Sequence, residues 1–270
     1  MKMLDKLLRP KLPEPSTLKA KGVPTRDVDF LSDNDLDLLN SLLPWNCYTL
    51  DGRGRPFGGI AGRSKRRNPQ ALPDPRIQHL DHAYPLAGRR VLEIGCFEGV
   101  HTVGLCQFGA DVVAVDARIE NVVKTIVRAN LFGHRPDVRC VDVDSVAGQE
   151  WLPEVDIVHH VGVLYHLVDP VTHLCRLARV TRQAMMLDTH ISLDGEDTQS
   201  YAAEGERWGF KLYREGGRKD VFSGMSGHAK WLTQATLERA LQKAGFTRNT
   251  VVELRNERNG PRVLMYCAKE

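Results

Sequence analysis

The chain has 270 residues, 42% of them hydrophobic and 26% charged, with a net charge of +3. That balance belongs to an ordinary globular protein and excludes a disordered, collagen-like or strongly polyanionic chain. The length gives one domain with a sizeable core and appendages rather than two full domains. Six cysteines (Cys47, Cys96, Cys106, Cys140, Cys175 and Cys267) form no C-x-x-C pair and no dense spacing, so reduced thiols are expected and neither a zinc ribbon nor a disulfide framework. No stretch approaches ~18 consecutive apolar residues and the N-terminus lacks a secretory core. A soluble, cytoplasmic protein with no membrane partner is the expectation.

Residues 1–25, with Pro10, Pro13, Pro15 and Pro24 among many lysines, predict a flexible arm. This arm and the run GRGRPFGGIAGRSKRRNP at 52–69 concentrate positive charge, which suits either an anionic partner such as RNA or a solvated face. Between 27 and 43, Phe30, Leu31, Leu36, Leu38, Leu39, Leu42 and Leu43 predict a short amphipathic helix or helix pair, stopped by Pro44. The Gly-, Pro- and Arg-rich segment 45–85 is too long for an idle connection and reads as a lid or binding loop. In it, Arg53, Arg55, Arg63, Arg66 and Arg67 are candidate clamps for a carboxylate or phosphate, with solvated loop charges as the alternative. Residues 1–85 therefore form an N-terminal extension to a main domain at 86–270.

From Arg90 onward strands and helices alternate: strand 90–95, helix 99–108, strand 111–116, helix 119–132, strand 137–142, strand 155–161, helix 169–180 and strand 184–190. The strands are near-continuous apolar runs, as in a sheet covered on both faces, and the order predicts an α/β fold with a doubly wound parallel sheet. A polar insertion at 191–230 carries too little apolar sequence for a core of its own and is expected to cap the substrate side. A helix at 231–244 ends at Gly245, followed by strands 246–254 and 262–268 joined through Asn259-Gly260, an antiparallel hairpin.

The most informative stretch is 90–116. RVLEIG ends at Gly95, and Gly95-Cys96-Phe97-Glu98-Gly99 supplies two glycines where the backbone needs positive φ or close approach to a ligand. The next strand ends in Asp116, 21 residues after Gly95, with a carboxylate suited to a ribose diol. Glu93 and Glu98 would repel the pyrophosphate of a dinucleotide and favour a cationic amino-acid tail. The E-x-G-x-x-x-G pattern resembles motif I of class I methyltransferases. That resemblance implies a Rossmann-like seven-stranded sheet ending in the hairpin, with S-adenosylmethionine as cofactor. It places Glu93, Gly95, Cys96, Phe97, Gly99, Asp116, Ala117 and Arg118 around the cofactor, and Asp144 with Ser145 near the adenine. Asp142 competes with Asp144, and a turn or capping role is the alternative for both.

Further on, Gly162-Val163-Leu164-Tyr165-His166 is similar to the GVLYH segment of tRNA wobble-uridine carboxymethyltransferases and their methyltransferase relatives. The likeness spans about 88–250 and implies that Tyr165 helps bind the cofactor, with carboxy-S-adenosylmethionine as an alternative to S-adenosylmethionine. His160 and Gly162 join the expected cofactor residues. His159, His160 and His166 from the fourth strand and Asp188 and His190 from the fifth are expected to converge on one rim. His166 or His190 is the candidate base, with Asp188 orienting the imidazole. Adjacent His159 and His160 point to opposite faces of a strand, which disfavours one shared metal. Tyr201, Trp208 and Tyr213 are candidates for stacking on a substrate or for packing the cap. The expected function is S-adenosylmethionine-dependent methyl transfer to an oxygen, nitrogen or carbon of a small molecule. An RNA-modifying methyl- or carboxymethyltransferase and a non-catalytic cofactor-binding partner subunit are the alternatives, and oligomeric state is left open.

Overall fold

The computed structural model describes residues 27–59 and 68–269. The predicted flexible arm and Arg63, Arg66 and Arg67 lie outside the described residues. The chain divides between Val141 and Asp142 into two compact units.

In the first unit, the apolar positions expected to be helical between 27 and 43 form a 3-10 turn (Asp27–Phe30) and helix α1 (Asp33–Leu42). Ser32 caps α1 by accepting the Asp35 N–H at 3.1 Å, which satisfies an amide that the helix itself leaves without a partner. Strands β1 (Thr49–Leu50) and β2 (Pro56–Phe57) pair antiparallel. Helix α2 (Pro75–Ala83) starts at the Asp74 cap with Pro75 in its first turn, where the missing N–H costs no bond. Strands β3 (Arg90–Ile94), β4 (Asp111–Asp116) and β5 (Asp137–Cys140) then run parallel, linked by helices α3 (Val100–Gln107) and α4 (Ile119–Leu131). Val28, Leu36, Trp45 and Phe57 share one buried cluster with Val103, Ala129 and Phe132. The N-terminal segment is thereby built into this unit's core.

The second unit contains helix α5 (Val146–Trp151), strand β6 (Val155–Val161), helix α6 (Pro170–Val180) and strand β7 (Thr181–His190). Strands β6 and β7 are parallel. The 191–230 insertion contains strands that the sequence reading did not assign. Its strands β8 (Gln199–Ala203), β9 (Glu206–Arg214) and β10 (His228–Trp231) make a three-stranded antiparallel sheet. Trp208 is fully buried there, with its Nε1 donating to Ala203 O at 2.9 Å. The period of two along β9 puts Trp208 and Phe210 on one face, an apolar surface that bulk composition conceals. Helix α7 (Gln234–Ala244) begins later than expected because Thr233 caps it, and Trp231 closes β10 instead. Strands β11 (Arg248–Glu257) and β12 (Gly260–Ala268) form the C-terminal hairpin, and β12 pairs antiparallel with β7. The strand order is β11-β12-β7-β6 in this unit and β3-β4-β5 in the first. Among the described residues, no helix is long and apolar enough to cross a membrane.

Candidate functional site

The loop at 95–99, between β3 and α3, departs from ordinary backbone three times. Gly95 and Gly99 have φ of 75° and 78°, and Phe97 has 49°, a region that residues with a side chain seldom occupy. Phe97 is held there from several sides. Its N–H donates to Asp116 Oδ2 at 3.0 Å, Thr125 Oγ1 donates to its carbonyl at 3.2 Å, and Arg128 Nε donates to the carbonyl of Glu98 at 2.6 Å. Gly99 is fixed by packing as well as by φ, since a Cβ there would stand 2.9 Å from Thr125 Cα. The amides of Gly95 and Cys96 both donate to Val115 O, so those two groups serve the fold.

Burial and local partners shift the acids around this loop in different directions. Burial raises Glu93 to about 8, beyond the opposing effect of a 2.5 Å hydrogen bond from Thr102 Oγ1. It is protonated at neutral pH. Asp116 is also buried and raised above the ordinary aspartate value by desolvation, against the hydrogen bonds it accepts from Arg118 N, Asn121 Nδ2 and Phe97 N. Ala117 lies between Asp116 and Arg118, the residue that precedes the first turn of α4.

Glu98 turns into the protein. Its carboxylate accepts from the backbone N–H groups of Asn46 and Cys47 at 2.9–3.0 Å, from Asn46 Nδ2, and from Lys124 Nζ at 2.7 Å. Burial alone would raise its pKa, but the Lys124 bond and charge and the Asn46 donors bring it below the ordinary glutamate value. Arg128, fully buried one helical turn beyond Lys124, donates to Thr49 Oγ1 at 2.9 Å and to Cys47 O at 3.0 Å. Sequence reasoning missed this clasp. The available signal was Lys124 and Arg128 at i and i+4 on the same inward stripe of α4 as Asn121, Thr125 and Ala129. Arg55, an expected clamp for an anionic ligand, is engaged by Asp51 and Asp33 and by the carbonyls of Leu31 and Val28.

In the second unit, the Asp144 carboxylate accepts from Val168 N at 3.0 Å and from Asp169 N at 3.4 Å. Ser145 caps α5 through the Gly148 N–H. Gly162, with φ of 79°, donates its N–H to Asp188 O. Tyr165 and His166 lie in a 3-10 turn, Leu164–His166. The Tyr165 ring stands 4.1 Å from that of His166 and 4.7 Å from that of His190, and His190 stacks on Trp231, which stacks in turn on Tyr213. The structure thus brings Tyr165, His166 and His190 together.

The carboxylates fall elsewhere than expected. Asp188 is fully buried and paired with Arg255 and Arg262. His166 Nδ1 meets Glu215 Oε1 at 2.8 Å, and His190 Nδ1 meets Pro261 O at 3.1 Å. His160 is buried with its Nε2 at 3.0 Å from His173 Nε2. Desolvation pushes both imidazoles toward the neutral form, His173 to about 4. Tyr201 donates its hydroxyl to Asp169 and accepts from Val171 N.

Residues 64–251 match the family described as methyltransferase domain. The chain is 30% identical over 216 residues to the tRNA U34 carboxymethyltransferase of Proteus mirabilis, covering 73% of this chain and 60% of that protein. It is 28% identical to the ubiquinone biosynthesis O-methyltransferase of Dechloromonas aromatica, over 60% of this chain and 70% of the relative. The crystal structure of the N-terminal domain of EvdMO1, determined in the presence of SAH and D-fucose, superposes with a TM-score of 0.72 at 25% identity. It covers 89% of this chain and 98% of that domain. The sheet order, the β3–α3 loop and the extent of the family match together make this chain a member of the methyltransferase family, on the class I fold.

Proposed function

We propose that this protein transfers a methyl group from S-adenosylmethionine to an oxygen, nitrogen or carbon nucleophile of a small molecule. When bound, that cofactor supplies an electrophilic methyl on a sulfonium. Asp116 is the observation that carries the reading. Three protein donors engage its carboxylate, and an ionised carboxylate accepts about four hydrogen bonds. One acceptor position stays open to a ribose hydroxyl, the partner such an acid takes in nucleoside-binding α/β folds. The strained Phe97 backbone, held by contacts on several sides, fits the stored strain found at ligand sites. Glu93, Gly95, Cys96, Phe97, Gly99, Ala117, Arg118, Asp144, Ser145, His160 and Gly162 are the other cofactor residues proposed from sequence. Tyr165, His166 and His190 are proposed for the acceptor side, while Asp188, expected there from sequence, supports it only through Arg255 and Arg262. The EvdMO1 domain crystallised in the presence of SAH and D-fucose, and an O-methyltransferase among the relatives, support a small hydroxylated acceptor. Calorimetry of the whole chain with S-adenosylhomocysteine tests the reading: saturable binding is expected, and no binding of either this product or S-adenosylmethionine overturns it.

The likeness to a tRNA carboxymethyltransferase favours a second reading, in which a carboxymethyl group is transferred to RNA. A carboxylated cofactor needs a cation near it, and the Arg262 guanidinium lies 5.4 Å over the Tyr165 ring. Arg262 is already paired with Asp188 and Glu257, which leaves little uncompensated charge and ranks this reading second. Mass spectrometry of nucleosides released from freshly purified protein separates the two.

A further inference from the structure

We infer that Glu215, contributed by the insertion, is a positioning residue that holds His166 as a base for a hydroxyl acceptor. The inference rests on the methyltransferase reading and narrows its acceptor to oxygen. Glu215 follows β9, and its side chain is 3% exposed while that of His166 is 16% exposed. One carboxylate oxygen meets His166 Nδ1 at 2.8 Å and the other accepts the Gly224 N–H at 3.3 Å. The Glu215 N–H donates to Gly227 O, so the carboxylate is fixed from its backbone outward. The loop that carries Gly224 closes directly on the histidine, where a Cβ would stand 2.5 Å from His166 O. A glycine is what allows this approach.

A carboxylate at Nδ1 selects the tautomer with the proton on that nitrogen and leaves the Nε2 lone pair outward. Nε2 has no hydrogen-bond partner among the described residues, and this ring keeps an accessible edge. His190 differs: its Nδ1 is committed to Pro261 O and its Nε2 faces Glu257 at 3.7 Å. An oriented base matters most for an alcohol or phenol, which must lose a proton as its oxygen forms a bond, whereas a neutral amine already presents its lone pair. The acceptor hydroxyl gives its proton to Nε2 and an oxygen pair to the methyl carbon, while the carbon–sulfur pair stays with sulfur as a neutral thioether. Glu215 keeps the ring in place until water takes the proton from Nε2.

The test uses the whole chain with histidine labelled by nitrogen-15, saturated with S-adenosylhomocysteine. Long-range proton–nitrogen spectra are expected to show His166 with its proton on Nδ1. Glu215→Ala should move it to the Nε2-protonated form that free imidazole side chains favour, and Glu215→Asp should keep part of the wild-type signature. Carbethoxylation of His166 Nε2 by diethyl pyrocarbonate, read by mass spectrometry, should slow at least threefold in Glu215→Ala. An Nε2-protonated His166 in the wild type, or the same spectrum and rate in Glu215→Ala, overturns the inference. Binding of S-adenosylhomocysteine to the wild type is read separately, so loss of the methyltransferase reading and loss of this one are distinguishable.

Discussion

Replacing Arg128 with methionine removes the donors that tie α4 to the N-terminal segment and to the 95–99 loop, while keeping most of the aliphatic stem. The guanidinium serves three carbonyls, those of Glu98 at 2.6 Å, Cys47 at 3.0 Å and Phe57 at 3.5 Å, together with Thr49 Oγ1. Stripping a buried acceptor costs about 1–3 kcal/mol, so three bare carbonyls cost roughly 3–9 kcal/mol. Against that, a fully buried cation carries a desolvation penalty of several kcal/mol, and its removal offsets much of the loss. A net destabilisation of about 3 kcal/mol remains, which for a chain of this size lowers the melting temperature by roughly 6–12 °C. Thermal unfolding followed by circular dichroism measures the first figure. Amide hydrogen exchange measures where it falls, with protection expected to drop first at 45–58 and in the 95–99 loop. A variant within about 0.5 kcal/mol of wild type, the range of ordinary surface changes, with exchange unaltered in both segments, would refute the clasp. Arg128→Lys should fall between the two, because one ammonium cannot reach all three carbonyls.

Three further outcomes follow from the same unit. Glu93 keeps its proton in the folded state up to about 8, whereas an ordinary glutamate releases it near 4.5, so stability should decline as pH rises between these values and level off above them. Glu93→Gln should flatten that decline in urea titrations at about pH 5 and about pH 9; an equal decline in both proteins removes the assignment. Gly99→Ala meets both a φ of 78° and the Thr125 backbone, and should cost about 2–4 kcal/mol from strain and overpacking together, measured by denaturant midpoint. Asp116→Ala should weaken S-adenosylhomocysteine binding by about 1.5–3 kcal/mol through lost charged hydrogen bonds, and unchanged affinity in calorimetry would displace the ribose from this residue.

The alternation of strands and helices from Arg90 was legible because strands buried on both faces read as uninterrupted apolar runs, and the last helix carries a recognisable stop at Gly245. The glycine turn and Asp116 were legible for a similar reason, since positive φ and a strand-end acid have few substitutes. The three-stranded sheet β8–β10 was not, because its apolar face consists of single residues such as Trp208 and Phe210 set among polar ones.

The sequence by itself determined the class of fold and the loop at 95–99, both of which depend on local pattern and backbone freedom. Only the tertiary structure decided what each charge does. Glu98 stands in the loop yet belongs to Asn46, Cys47 and Lys124; burial raises Glu93; Asp188 pairs with two arginines; and Glu215, far along the chain, stands beside His166, one of the two imidazoles that Asp188 was expected to orient. The partner and protonation of a carboxylate are set by burial and by neighbours distant in sequence, and no spacing of letters along one chain encodes them.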